Sequence, residues 1–188
     1  ENDLVPAAGA ARVSHATLSS GLRLGNAADF NGSSFFRAAG MRSGKTALDG
    51  AYAVELWVQS QALNSATYLV NFGPSGGDNS PALIYNFTPD YFELFAGGGG
   101  RTGTSGPIMA DQDWHHLVFV YYGDGSDGVA ARVDAYLDGT EFPYISASLS
   151  KRLNPAALIV GAALPNNADA FTGRIDEVAV YDLSGLPD

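Results

Sequence analysis

Apolar side chains that alternate with period two, cut at short intervals by Gly, Asn, Asp and Pro, constrain this chain more than any other feature. In Tyr52–Val58, Val54, Leu56 and Val58 fall on one side and Glu55 and Trp57 on the other. Extended backbone is what sends residues i and i+2 to one face. Arg132–Asp138 repeats the pattern, with Val133, Ala135 and Leu137 opposite Arg132, Asp134 and Tyr136. Arg174–Asp182 is read the same way, with Val178 and Val180 opposite Ile175, Ala179 and Tyr181. The more continuous apolar runs Leu117–Tyr122 and Ala156–Val160 suit central strands covered on both sides.

Turn chemistry separates these runs: Phe30-Asn31-Gly32-Ser33, Gly73–Pro81, Gly97–Pro107, Gly123–Gly128, Asp138-Gly139 and Leu164–Ala168. No helical period of about ten or more residues stands out. The Ala-rich stretch Asp3–Ala11 is read equally as a short helix, a loop or an edge segment. Roughly ten to twelve strands at this spacing predict an all-β chain, a sandwich of two antiparallel sheets. No internal repeat, linker or charge block divides the sequence, so a single domain over residues 1–188 is expected. The tetraglycine Gly97–Gly100 reads as a loop tip within it.

Composition narrows the partners. Apolar residues make up 46% of the chain, enough for a sizeable core. A formal net charge of −10 repels phosphate backbones and anionic lipid, so nucleic acid is not an expected partner. No apolar run reaches the length of about 18 residues that membrane insertion by a helix needs. There is no cysteine, which removes disulfides, thiolate metal sites and cysteine nucleophiles together. Glu1-Asn2-Asp3 lack the basic and apolar pattern of a secretory signal.

Four segments, in order, resemble a known family. They are Ala28-Asp29-Phe30-Asn31-Gly32-Ser33-Ser34-Phe35; Ala53-Val54-Glu55-Leu56-Trp57-Val58; Asp113-Trp114-His115-His116-Leu117-Val118 followed by Ala135-Tyr136-Leu137-Asp138-Gly139; and Phe171–Tyr181 with its Ile175-Asp176-Glu177-Val178 centre. Together, across roughly residues 22–182, they resemble the laminin-G-like, concanavalin-A-like jelly-roll modules of bacterial secreted proteins. Asn31 stands where that family usually has Asp, and Tyr68–Pro107 matches none of its segments. The resemblance implies a jelly roll, an extracellular or cell-surface location and a place as one module of a larger chain. It implies function less closely, because such scaffolds carry many activities.

Related sandwiches include glycoside hydrolases and polysaccharide lyases. Glycoside hydrolysis needs two carboxylates about 5–10 Å apart across the scissile bond, typically as E-x-D-x-x-E on one strand. Here Glu55–Gln59 and Asp134–Asp138 stand instead, and Asp138 is explained by its Asp-Gly turn. An enzyme is therefore the third-ranked reading. Adjacent His115 and His116 point to opposite faces of a strand and do not share an ion. Trp114 and His116 are expected to pack or hydrogen-bond inside the sandwich, and His15 has no acidic neighbour. Neither G-x-S-x-G nor a phosphate-binding loop is present.

The first-ranked reading is a non-catalytic recognition module that binds carbohydrate; the second is a protein-interaction or adhesion module. Two surfaces compete for the ligand. The open sheet face offers Glu55, Trp57, Arg132, Asp134 and Tyr136, hydrogen-bonding groups beside aromatic platforms; the alternative is that Trp57 is core and the charges satisfy one another. The loop rim offers Asp78, Asn79, Asn166, Asn167 and Asp169, which also fit ordinary turns. Tyr85, Tyr91, Phe92 and Phe95 are a further aromatic set. In similar sandwiches a structural Ca2+ joins the opening turn to the closing strand; the resemblance carries this to Asn31, Gly32 and Asp176, although Asp176 equally suits a salt bridge.

Overall fold

The computed structural model describes residues 5–7, 11–14, 26–38, 51–61, 67–72, 82–86, 91–96, 100–104, 112–122, 133–142, 144–145, 158–163 and 169–183. Fifteen strands form among them: β1 (Val5–Ala7), β2 (Ala11–Ser14), β3 (Asn26–Asn31), β4 (Phe35–Ala38), β5 (Tyr52–Ser60), β6 (Thr67–Phe72), β7 (Ala82–Asn86), β8 (Tyr91–Ala96), β9 (Gly100–Thr104), β10 (His115–Tyr121), β11 (Val133–Leu137), β12 (Thr140–Phe142), β13 (Tyr144–Ile145), β14 (Leu158–Val160) and β15 (Thr172–Asp182). They build two antiparallel sheets. One has the order β12-β11-β10-β5-β15-β3-β2, the other β1-β4-β14-β6-β7-β8-β9-β13. Among the described residues there is no helix, and the all-β sandwich read from the sequence is the fold observed.

The alternation in β5 works as expected: Val54, Leu56 and Val58 are fully buried, while Glu55, Trp57 and Gln59 are half-buried on the other side. The core joins the two sheets. Val54, Leu56, Phe119, Phe30, Phe171 and Ile175 of the seven-stranded sheet and its flanks pack with Phe36, Leu69, Val70, Phe72 and Val160 of the eight-stranded one. Edge-on aromatic contacts tie Phe30 to Phe36 and to Phe171 at centroid distances of 5.6 and 6.2 Å. Gly161, with φ +88°, lies directly under the Phe30 ring, where a Cβ would collide with it. Glycine there serves both the backbone conformation and the packing.

Three readings are corrected. Ile175 does not oppose Val178 and Val180: it is core, and the two valines pack against the same core. The cause is a register shift between Asp176 and Ala179, with Glu177 at φ 49°; one extra residue flips the parity of everything after it. β10 is not covered on both sides but alternates buried with half-buried residues, because its outer face is open. Of the alternatives open for Asp3–Ala11, the edge segment is the one observed: Val5–Ala7 pairs with β4, and the adjoining Ala11–Ser14 pairs with β3. Within Gly97–Pro107, Gly100–Thr104 is strand, pairing with β8. The Asp138-Gly139 turn forms as read, with φ 51° and 77°, the left-handed pair that joins β11 to β12 tightly.

Candidate functional site

Register across the seven-stranded sheet decides which side chains meet on its outer face. Tyr136, Val118, Glu55 and Ala179 form one row across β11, β10, β5 and β15. His116, Trp57 and Asp176 form the next, and Gln59, Arg174 and Asp29 the one beyond. His116 is thus directly opposite Trp57 and diagonal to Glu55, both within reach of a long side chain. Their rings stack with centroids 4.9 Å apart and planes at 30°. His116 Nε2 lies 2.8 Å from Glu55 Oε1.

The bulge in β15 completes the set. By shifting parity it turns Tyr181 outward, opposite the small Ala53, and the Tyr181 hydroxyl donates to Glu55 Oε2 at 2.8 Å. Partial burial alone would raise the Glu55 carboxyl. The hydrogen bonds from Tyr181 and His116, with the His116 charge, outweigh it and hold the carboxyl below its ordinary value. The same hydrogen bond, with some desolvation and the Glu55 and Glu177 charges, raises the Tyr181 phenol. Both carboxylate oxygens of Glu55 are therefore engaged, and Trp57 is held in a fixed stack with part of its surface in solvent.

His115 turns inward and is buried; its Nδ1 is 2.8 Å from Asp138 Oδ2. Asp138 Oδ1 accepts from the His116 backbone N–H at 2.8 Å, and the Asp138 N–H donates to the His116 carbonyl at 2.9 Å. Asp138 is thus more than a turn residue. It clamps the start of β10, and so the position of His116, against the β11–β12 hairpin. The placement of His116 inside the sandwich is corrected: its neighbour His115 is the buried one, because alternation from Leu117 and Phe119 sets odd residues inward.

Further along the same face a pocket of about 220 Å³ opens, lined by Gln59, Ser60, Gln61, Gln112, Gly173 and Arg174. Gln59 Nε2 donates to the Gln112 carbonyl at 2.9 Å, and Arg174 Nη1 donates to Gln59 Oε1 at 3.4 Å. Arg174 Nε is 3.6 Å from Asp29 Oδ1. No motif announced this pocket; only the polar residues at the end of β5 and start of β15 hinted at it.

Of the residues expected on the open face, Glu55, Trp57, Asp134 and Tyr136 do share it, although Asp134 is buried at 6% exposure and so offers little to a ligand. Arg132 lies outside the described residues, as do Asp78, Asn79, Asn166 and Asn167 of the rim. Asp169 is exposed before β15, at φ 48°, and its carbonyl accepts the Tyr68 N–H at 3.1 Å. Tyr85, Tyr91, Phe92 and Phe95 stand on β7 and β8 of the other sheet. The residues assigned to Ca2+ do not converge. Asn31 pairs with Thr172, and Asp176 lies four positions further along β15, about 13 Å away at strand rise. Asn31 Oδ1 accepts from the Ser33 N–H and hydroxyl, at 3.1 and 2.9 Å. Among the described residues no group of three or more His, Cys, Asp or Glu gathers to hold a metal.

Comparison with known families decides the lineage. The Laminin_G_3 family model, described as the concanavalin A-like lectin/glucanases superfamily, matches residues 30–184. The chain belongs to this family. No curated protein sequence is significantly similar to it. Among solved structures it is similar to domain 4 of AbnA, a GH43 extracellular arabinanase from Geobacillus stearothermophilus, solved with arabinotriose: TM-score 0.63 at 20% identity, over 94% of this chain and 76% of that one. It is similar also to a putative carbohydrate binding protein from Bacteroides ovatus, TM-score 0.60 at 16% identity, over 83% of this chain and 43% of that one. A botulinum neurotoxin type C structure, whose cell entry depends on two ganglioside molecules, aligns with TM-score 0.59 at 6% identity, over 96% of this chain and 43% of that one. At these identities the likeness is one of fold. The family's description names lectins and glucanases alike.

Proposed function

We propose that the chain is a non-catalytic carbohydrate-binding module of an extracellular protein, and that it binds on the outer face of the seven-stranded sheet. The observation that carries this reading is the Trp57–His116 stack, held from one side by Glu55 and Tyr181 and left part-exposed. Sugar rings present apolar C–H surface and a rim of hydroxyls, so they are recognised by an aromatic surface with oriented polar groups beside it. Fixing those groups beforehand lowers the ordering cost of binding. Glu55 is spent on structure here rather than poised as an acid or base: two donors already hold it in its charged form. The family and the arabinotriose-bound and ganglioside-dependent neighbours support the reading at the level of class.

A large contiguous apolar patch, where one is exposed, marks a protein-docking face. Among the described residues Tyr181, at 46% exposure, is the large apolar side chain that stands out, and it is tied to Glu55. Tyr181 is thus part of the polar cluster beside Trp57 rather than of an apolar patch. Binding of the whole chain to an immobilised glycan panel tests it: signal on one glycan class, abolished by Trp57→Ala, is expected. Signal that persists undiminished in the folded Trp57→Ala chain would remove this face as the site.

A further inference from the structure

We infer that the pocket lined by Gln59, Gln112 and Arg174 is a subsite for one neutral sugar residue, gripped through a pair of neighbouring hydroxyls. The inference rests on the carbohydrate reading above and adds to it a place, a charge class and a mode of contact. At about 220 Å³ the pocket has room for a single pyranose or furanose ring. Five of its six lining residues have polar side chains, which suits hydroxyls and not an apolar ligand.

The Gln59 and Gly173 side of the pocket is fixed before any ligand arrives. The Gln59 amide is held by the Gln112 carbonyl at 2.9 Å and touched more loosely by Arg174 at 3.4 Å. Gln112 sits at φ 63°, and Gly173 at φ 143° pairs with Ser60, where a Cβ would run into the Gln59 carbonyl oxygen and the Phe171 ring. Glycine at 173 is what lets the two strands close up under the pocket. The Arg174 contacts, at 3.4 and 3.6 Å, are long for hydrogen bonds and yield readily to better ones. A guanidinium fork donates two parallel N–H groups, which match two adjacent hydroxyl oxygens. Within the lining, Gln59 Oε1, which accepts from Arg174, is an acceptor for a hydroxyl proton, and Asp29 lies beside the guanidinium.

Charge selects the neutral sugar. Asp29 already shares the Arg174 cation, and the chain carries a formal net charge of −10. A uronate or sialate carboxylate would meet a competing carboxylate at close range and repulsion at long range, whereas a diol uses both partners. Gln59 is two residues from Trp57 on one face of β5, about 7 Å along the strand. A ring in the pocket therefore places the next ring of an oligosaccharide beside the indole.

Calorimetric titration of the whole chain with neutral oligosaccharides and with oligomers of uronic acid tests this. Variants Trp57→Ala, Arg174→Met and Gln59→Leu accompany the unaltered chain, each first checked for a retained thermal transition. The expected result is binding of a neutral oligosaccharide, weakened tenfold or more by Arg174→Met and by Gln59→Leu, with no heat from uronate oligomers. Neutral binding lost in Trp57→Ala but undiminished in both pocket variants would overturn the subsite and leave the glycan reading standing. Preference for uronate, lost with Arg174→Met, would overturn the neutral class. No binding by any saccharide would overturn the subsite together with the reading it rests on. Should Arg174→Met fail to fold, Gln59→Leu decides alone.

Discussion

The imidazole of His116 lies against the indole of Trp57, ring centroids 4.9 Å apart, although 59 positions in the sequence separate β10's second residue from its partner on β5. Its other tie is Glu55, so His116 is a spacer that keeps the indole upright. His116→Ala is expected to cost about 1–2 kcal/mol, from a lost aromatic contact and a charge-assisted hydrogen bond on a half-exposed surface. In a Trp114→Phe background the Trp57 emission should move to longer wavelength as solvent takes the vacated side. Urea unfolding and fluorescence read both; an unmoved emission would mean the stack does not shield the indole.

Acid and alkali should weaken the molecule through one cluster. Glu55 is held below its ordinary value in the folded chain. Its contribution is complete above the ordinary carboxylate value and is lost as pH falls through and below it. Tyr181 is raised, so its contribution is complete below the ordinary phenol value and is lost as pH climbs past it. Glu55→Gln should flatten the acid limb of the urea midpoint against pH, and Tyr181→Phe the alkaline one. Limbs parallel to those of the unaltered chain would contradict the assignment.

Tyr52 is fully buried, packed on Tyr121 at 4.9 Å, and its hydroxyl has no hydrogen-bond partner among the described residues. Burial pushes its phenol well above the ordinary value. An unmatched buried hydroxyl costs about 1 kcal/mol or more, so Tyr52→Phe should leave stability unchanged or raise it by up to about 1 kcal/mol. A clear fall in the urea midpoint would reveal a partner for the hydroxyl.

Gly161→Ala should be severe. A methyl would strike the Phe30 ring, and φ +88° is strained for any L side chain. Overpacking with backbone strain is worth about 2–4 kcal/mol. Thermal unfolding reads it, and pairing with Phe30→Leu should recover part of the loss, leaving the φ penalty. A variant as stable as the parent would contradict the close approach.

What was legible in the sequence was local. Period two in Tyr52–Val58 gave the inward and outward sets of β5, and Asp138-Gly139 gave its turn, because both depend on neighbours a few residues apart. The bulge at Glu177 was not legible: a non-glycine residue at φ 49° carries no sequence mark, and it reversed the facing of Ile175 relative to Val178. The candidate site was half legible. Glu55, Trp57 and Tyr136 were placed on the open face by alternation, but alternation does not say which strands lie side by side. Hence the sequence alone suggests an interior His116 and carries no sign of the partners Glu55–Tyr181 and Gln59–Arg174, 126 and 115 positions apart. Strand order and register created them.

Thermal unfolding of the whole chain against poly- and oligosaccharides tests the central claim most directly. A ligand that binds only the folded state stabilises it by about 2.7 kcal/mol at a hundredfold excess over its Kd. The account predicts a raised midpoint with one class of neutral glycan, and no shift when Trp57→Ala is heated with the same glycan. An unmoved midpoint across neutral and acidic glycans alike, in a chain that unfolds cooperatively, would contradict it.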